Sequence, residues 1–199
     1  MHDLSDGLAR FRRDVFPAKA GLFAHLATTH RPTTLFIGCS DARVVPELIT
    51  QSEPGELFVV RTAGNLVPAY SSDPDGVAAS IEYAVAVLHV SDIVVCGHSA
   101  CGAMTALAEG HDLSAAPVVS GWLRHADAAR ARAAAVPDAS VPGRVAALVR
   151  ANVSAQLQNL ATHPSVARAL AEGTLTLHGW VFDIATGAVD PVDAAAIAA

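Results

Sequence analysis

Short apolar runs and helical periodicities alternate along most of this chain. Thr34-Leu35-Phe36-Ile37-Gly38-Cys39 is a short apolar run that ends at a polar cluster, the pattern of a strand buried on both faces. Leu57-Phe58-Val59-Val60, introduced by the turn residues Pro54-Gly55, predicts a second strand, and Asp92-Ile93-Val94-Val95-Cys96-Gly97 a third. Between the last two, Asp73-Pro74-Asp75-Gly76 is a helix-start signal. Val77 to His89 then places Ile81, Val85 and Leu88 on one face, while Arg61 to Tyr70 reads as loop.

The flanking segments keep helical spacing. Leu4, Leu8, Phe11, Val15, Phe16, Leu22, Phe23 and Leu26 predict two short helices between Leu4 and Thr29, broken at Pro17 and Gly21. After a turn at His98 to Gly102, Ala103 to Glu109 predicts a helix. Val118 to Ala135 and Arg144 to Leu160 read as amphipathic helices separated by Pro137, Pro142 and Gly143, and Ser165 to Ala171 as a shorter one. Thr174 to Ile184 predicts a strand, and Ala185-Thr186-Gly187 a turn that starts a hairpin or an edge strand. The expected architecture is one α/β domain with a mostly parallel central β-sheet flanked by helices: N-terminal helices over 1–29, a catalytic core over 33–186, and a tail over 187–199.

Composition narrows the function. At 52% hydrophobic and 16% charged residues the chain is too apolar for a disordered protein, and some of its apolar surface is expected to meet a partner subunit. The net charge of −6, with Lys and Arg scattered, lacks the basic stripe that a phosphate backbone requires, so nucleic acid is not an expected partner. Val77 to Val90 is interrupted by Glu82 and falls short of the roughly 18 to 20 apolar residues that span a bilayer, so no membrane association is expected. Met1 to Asp6 has neither the basic nor the apolar region of a secretory signal, and a cytoplasmic location is expected. Three cysteines suit reduced thiols or metal ligation better than a disulfide framework.

Where those cysteines fall carries the chemistry. Ligands of open α/β sheets bind beyond the carboxyl ends of strands, which brings Cys39 and the His98-Ser99-Ala100-Cys101 segment to one crevice. The two-residue spacer lets one turn present an imidazole and a thiolate to the same ion, and Cys39 supplies another thiolate from the neighbouring strand end. Two thiolates and an imidazole suit zinc, and three protein ligands leave a fourth position open, as in catalytic sites. Asp41 and Arg43 form a ready ion pair beside it, able to orient a water there. Each feature has a plainer reading: a lone His-x-x-Cys is weak evidence, cysteine is a common core residue, and loop charges are usually solvated. Cys96, inside the third strand, is read as core only.

Cys39-Ser40-Asp41-Ala42-Arg43 together with Gly97-His98-Ser99-Ala100-Cys101-Gly102 resembles the paired signature of the β-class carbonic anhydrases. Pro54-Gly55-Glu56-Leu57-Phe58, Ala63-Gly64-Asn65 and Ser80-Ile81-Glu82-Tyr83-Ala84 follow the same family pattern, and the likeness runs from about Leu22 through Gly179-Trp180-Val181-Phe182-Asp183. The cyanate-operon-associated bacterial branch and the plant-type enzymes look closest. The resemblance implies a carbonate dehydratase, in which zinc-bound hydroxide attacks carbon dioxide to give bicarbonate and a proton. It implies zinc on Cys39, His98 and Cys101, the Asp41/Arg43 dyad beside the fourth position, and a closed form in which Asp41 itself ligates the metal. It also implies a pocket formed with Phe58, Tyr83 and Gly102, N-terminal helices packed on a partner subunit, and a homodimer or homotetramer.

Three positions depart from the family pattern. His30 stands where plant-type members carry a substrate-binding glutamine, and an imidazole there can donate a hydrogen bond or relay protons. Thr62 replaces an asparagine. Allosteric members bind inhibitory bicarbonate with a Trp/Arg/Tyr trio, whereas Phe36, Arg61 and Phe182 stand here, which implies weak or absent bicarbonate allostery and an open site at neutral pH. Other readings are a carbonyl sulfide or carbon disulfide hydrolase on the same fold, and a non-catalytic zinc-binding protein. A nucleotide-binding domain fails for want of a G-x-G-x-x-G cradle after either strand.

Overall fold

Leu35, Phe36 and Ile37 have no exposed surface, and the strand that they form, β1 (Thr34–Cys39), lies inside a sheet rather than at its edge. In the computed structural model, which describes residues 3–73, 75–135 and 140–192, the sheet also contains β2 (Leu57–Thr62), β3 (Asp92–His98), β4 (Thr176–Phe182) and β5 (Val189–Val192). Their order is β2-β1-β3-β4-β5. The first four run parallel, with Cys39 opposite Thr62 and Gly38 opposite Cys96, and β5 returns antiparallel to β4 with Phe182 opposite Val189. The hairpin expected around Ala185 to Gly187 therefore forms, and it brings residues 189–192 of the C-terminal segment into the sheet.

One face of the sheet is covered by α4 (Gly76–Glu82), α8 (Val141–Ala161) and α9 (Pro164–Ala171). Leu35, Ile37, Ile93 and Val95 meet Ile81, Val153, Leu157, Leu160 and Val166 there. Alternate residues point to opposite faces of a strand, so Phe36, Val94 and Cys96 line the other face, where they pack with Val59, Trp180 and Phe182. The close approach of α8 depends on Gly97, since a Cβ at that position would lie 2.9 Å from a methyl of Val153.

The remaining helices are α3 (Pro46–Thr50), α5 (Gly102–Glu109), α6 (Pro117–Leu123) and α7 (Asp127–Ala133). The single helix expected over Val118 to Ala135 is split, with a 3-10 turn at Arg124–Ala126 joining α6 to α7. Pro142 and Gly143 do not separate helices but lie in the first turn of α8, where a proline costs no hydrogen bond and Ser140 caps the Gly143 amide. Pro137 lies outside the described residues, as does 193–199. The α4 helix continues as a wider π turn over Tyr83–Val87. No helix among the described residues is long and apolar enough to cross a membrane.

Chain contacts divide the protein after Arg31. The N-terminal unit contains α1 (Leu4–Arg10) and α2 (Phe16–Leu26), joined by a π turn at Phe11–Val15. The break thus falls earlier than Pro17 and Gly21 suggest. Pro17 sits in the first turn of α2, where its missing amide hydrogen is not needed, and α2 runs on through Gly21. Phe11, Phe16 and Phe23 gather their rings on one another within this unit.

This topology fixes where a site can form. From β1 the chain crosses to β2 on one side and then returns past β1 to β3 on the other, so the connections leave β1 and β3 in opposite directions. A crevice opens at such a switch point, beyond the carboxyl ends of the two strands. Cys39 ends β1 and His98 ends β3.

Candidate metal centre

Cys39, His98 and Cys101 meet at this switch point, their ligand atoms all within 4.8 Å of one another. All three are buried, at 6%, 0% and 1% exposure. Cys101 is the N-cap residue of α5, and the residue before it, Ala100, takes a left-handed φ of 52° that turns the chain sharply from strand to helix. The spacer of two residues works because of this turn.

The histidine is set up as a ligand. Its Nδ1 lies 2.9 Å from the Ser99 carbonyl, which can only accept, so Nδ1 carries the hydrogen and Nε2 keeps a lone pair. That Nε2 is fully buried and has no hydrogen-bond partner. Leaving a buried polar atom orphaned costs about 1–3 kcal/mol, and a metal ion removes that cost. The Ser99 carbonyl is held in turn, because the Ser99 amide donates to the Phe182 carbonyl and the Ser99 hydroxyl accepts from the Ile184 amide.

The two thiols share charge unevenly. A hydrogen bond from Cys101, helped by the backbone amide of Asp41, lowers the Cys39 thiol from its ordinary range against the opposing effect of burial. Cys101 moves the other way, raised by its bond to the ionised Cys39 and by burial. A site with one thiol lowered, a second that gives up its hydrogen only to a metal, and one lone-pair nitrogen suits a soft-to-borderline divalent ion.

Asp41 lies beside the ligands, its Oδ2 at 3.9 Å from His98 Nε2. Arg43 holds it through a fork, Nε to Oδ1 at 2.9 Å and Nη2 to Oδ2 at 2.7 Å, and the Arg43 amide adds a third bond to Oδ1. These bonds hold the Asp41 carboxyl well below the usual carboxylate range. Arg43 Nη2 also donates to the Ala100 carbonyl at 3.1 Å, tying the dyad to the turn between His98 and Cys101.

The pocket residues inferred from the family pattern are spread out. Gly102 is exposed and starts α5 directly after Cys101. Phe58 and Tyr83 meet each other, with ring centroids 6.0 Å apart, but Phe58 pairs with Leu35 near the amino end of β1 and thus lies four residues along β2 from the partner of Cys39. At about 3.3 Å per residue that is roughly 13 Å from the ligands along the strand. Tyr83 is 43% exposed. His30 is an exposed residue of the N-terminal unit. Cys96 is fully buried among Phe36, Trp180 and Phe182, and burial raises its thiol to about 12.

Sequence reading gave no structural task to Arg61 or Ser99. Arg61 donates from Nε to the Cys39 carbonyl at 3.0 Å and from Nη2 to the Asp41 carbonyl at 2.6 Å, clamping the backbone between the ligand and the dyad. A signal was available for Ser99, which directly follows the histidine in a turn, but none marks Arg61, whose reach depends on the pairing of β1 with β2.

The chain is similar to known proteins along most of its length. A protein-family model described as Carbonic anhydrase matches residues 34–189. The chain is 61% identical over 195 residues to a carbonic anhydrase of Pseudomonas aeruginosa, covering 98% of this chain and 89% of the relative. Among solved structures it is similar to the beta-carbonic anhydrase CcaA, with a TM-score of 0.90, 40% identity, and coverage of 97% of this chain and 95% of that one. A structure described with the two tetrameric beta-carbonic anhydrases of Sordaria macrospora has a TM-score of 0.79 at 33% identity, covering 94% of this chain and 92% of that one.

Proposed function

This chain belongs to the β-carbonic anhydrase family, a carbonate dehydratase lyase that interconverts carbon dioxide and bicarbonate, and we propose that it does so at a zinc ion held by Cys39, His98 and Cys101. The observation that carries the assignment is the buried, partnerless Nε2 of His98 facing two thiols beside an arginine-held carboxylate. Zinc so bound supplies Lewis acidity that brings the pKa of a water to about 7, which makes a nucleophile available at neutral pH.

The protein supplies orientation. Asp41, ionised and an acceptor only, takes a hydrogen bond from the attacking oxygen and aims its remaining lone pair at carbon dioxide. Arg43 fixes that carboxylate through the fork and keeps it from turning toward the metal itself, so the site stays open at neutral pH. Arg61 holds the intervening backbone, and Ser99 fixes the imidazole. Bicarbonate leaves and a proton passes to solvent, with His30 a candidate relay.

Phe58, Tyr83 and Gly102 complete the apolar carbon dioxide pocket across a subunit interface. Two features support this: the Phe58/Tyr83 pair is too far along β2 to serve the ligands of its own chain, and β2 is an edge strand with half-buried Leu57, Phe58, Val59 and Val60. A homodimer or homotetramer, with the N-terminal helices packed on a partner, agrees with the exposed Leu4, Leu8 and Val87 and with the tetrameric relatives. A cytoplasmic location agrees with three buried cysteines that are free thiols, two of them the candidate ligand pair.

The test is stopped-flow carbon dioxide hydration by protein of measured zinc content, beside Cys101→Ser. One zinc per chain with fast hydration, both lost in the variant, is the expected result. Zinc-loaded protein inactive from pH 7 to above pH 8.5 would overturn the assignment.

A further inference from the structure

The parallel pairing of β3 with β4 changes its pattern where it reaches the metal centre. His98 pairs with Phe182, and the Ser99 amide donates to the Phe182 carbonyl at 2.9 Å, the regular next bond of a parallel ladder. In that ladder the bond after it runs from the Ile184 amide to the Ser99 carbonyl. Here the Ile184 amide donates to the Ser99 Oγ instead, at 2.9 Å. The carbonyl that is left out of the ladder is the one that lies 2.9 Å from His98 Nδ1.

The hairpin between β4 and β5 is what frees the Ile184 amide. Asp183 opens the turn and takes up the amides that follow: its Oδ1 accepts from Ala185 at 3.1 Å and from Thr186 at 2.8 Å, and its carbonyl accepts from Gly187 at 2.9 Å. The Thr186 hydroxyl donates to the same Oδ1 at 2.8 Å. Across the hairpin the Asp183 amide donates to the Ala188 carbonyl at 2.8 Å, so Asp183 is fixed on both sides. Among the amides of residues 184–187, the one that leaves the turn is therefore that of Ile184, and it points to the end of β3. A half-buried amide needs an acceptor. With no hydroxyl at position 99, ladder geometry would give it the carbonyl of that residue.

We infer that Ser99 and Asp183 are positioning residues for the metal centre: the Asp183 turn aims the Ile184 amide at the Ser99 hydroxyl, and that hydroxyl keeps the amide off the carbonyl that orients the His98 ring. The inference rests on the zinc assignment above. A ligand imidazole is fixed in tautomer and in orientation by the acceptor at its other nitrogen, and removing such a partner typically lowers metal affinity by about 10- to 100-fold. A carbonyl drawn toward β4 to complete the ladder would lie farther from Nδ1 and less well aligned with it, which weakens that bond. Asp183 acts here through its acceptor oxygen, and its charge has no part in the effect.

The test uses full-length protein with histidine labelled for nitrogen NMR, in which exchange of the His98 Nδ1 hydrogen with water reports the bond to Ser99, together with zinc affinity from competition with a chelator. Ser99→Ala leaves the Ile184 amide only the carbonyl, and should speed that exchange and weaken zinc binding about 10-fold. Ser99→Thr keeps a hydroxyl and should restore both. Asp183→Ala should move both readings in the same direction as Ser99→Ala, while Asp183→Asn, which keeps an acceptor oxygen without the charge, should stay near the wild type. Joined to Ser99→Ala, Asp183→Ala should add nothing further, since the two act through one bond. Val166→Ala, at a fully buried position of α9, is the control for loss of packing and should lower stability without moving the exchange. A folded Ser99→Ala protein with wild-type exchange and wild-type zinc affinity would overturn the inference, even if Asp183→Ala failed to fold. So would an Asp183→Asn protein as impaired as Asp183→Ala, because the charge would then be what matters. Wild-type protein that binds no zinc would overturn the zinc assignment and the inference with it, whereas zinc-binding wild type beside an unchanged Ser99→Ala overturns the inference alone.

Discussion

The Arg43 guanidinium binds both oxygens of the Asp41 carboxylate, and the oxygen held by Nη2 is the one that lies 3.9 Å from His98 Nε2. One carboxylate oxygen thus faces arginine and the ligand cluster together. The arrangement makes Asp41 a fixed acceptor rather than a mobile charge.

Arg43→Met should therefore damage orientation more than charge. Without the fork, the Asp41 carboxyl rises from below the usual range toward about 4, yet it stays ionised at pH 7 because its pKa still lies far below that pH. Hydration at pH 7 should fall about 10- to 100-fold with zinc still bound. Carboxyl-carbon NMR of the variant should show the upward move. An Asp41 that titrates as in the wild type, in a variant of full activity, would remove the arginine from the mechanism.

The uneven thiol pair sets how many protons leave when metal enters. In metal-free protein the bond between the two thiols pulls Cys39 below the usual range and pushes Cys101 above it, which favours one hydrogen shared by the pair. Zinc needs both as thiolates. Loading at pH 7 should then release one proton from the pair, read as the buffer dependence of the binding enthalpy. At pH 6, where a water of pKa about 7 on the ion keeps its hydrogens, two protons would show that the pair starts fully protonated.

How far the sequence foretold this site depended on how local each feature is. The strand over Thr34–Cys39 was legible to the residue, because a run buried on both faces needs no periodicity to be seen. The meeting of Cys39 and His98 followed from strand ends, since a switch point brings together residues at the ends of β1 and β3. The break in the N-terminal helices was misplaced because Pro17 was weighed as a helix breaker, when a first-turn proline breaks nothing. The split of Val118 to Ala135 at Arg124 carries no glycine or proline signal, and α3 is only a five-residue helix between turns. Arg61, Trp122 and Asn152 were beyond reach, because each acts on a backbone group from 20 to 88 residues away.

Gln156 tests the buried polar row on α8 as a source of stability. It is fully buried, and its Oε1 accepts from the Val67 amide while its Nε2 donates to Asn152. Gln156→Leu keeps the volume but leaves the Val67 amide without that acceptor, at a cost of about 2 kcal/mol. The urea midpoint should fall with the slope of the transition unchanged. An unchanged midpoint would mean that the loop finds another partner for this amide.

Control by bicarbonate should be weak or absent. The trio that the family resemblance matches to an inhibitory bicarbonate site is Phe36, Arg61 and Phe182 here, and neither phenylalanine offers a hydrogen-bond donor to an anion. Phe36 is fully buried and meets Trp180 edge to face, with centroids 6.3 Å apart, so that part of the face is filled by packed rings. Arg61 is committed to the carbonyls of Cys39 and Asp41. To bind bicarbonate it would have to give up those bonds with no second donor to share the anion, and burying an anion against apolar rings is unfavourable. The rate should therefore depend hyperbolically on carbon dioxide at pH 7, and bicarbonate should inhibit with a Hill coefficient of about 1, as expected for competition at a single class of site. A sigmoidal inhibition curve that sharpens as pH falls would show that Arg61 does leave the backbone, and that the Arg43 fork alone does not keep the site open.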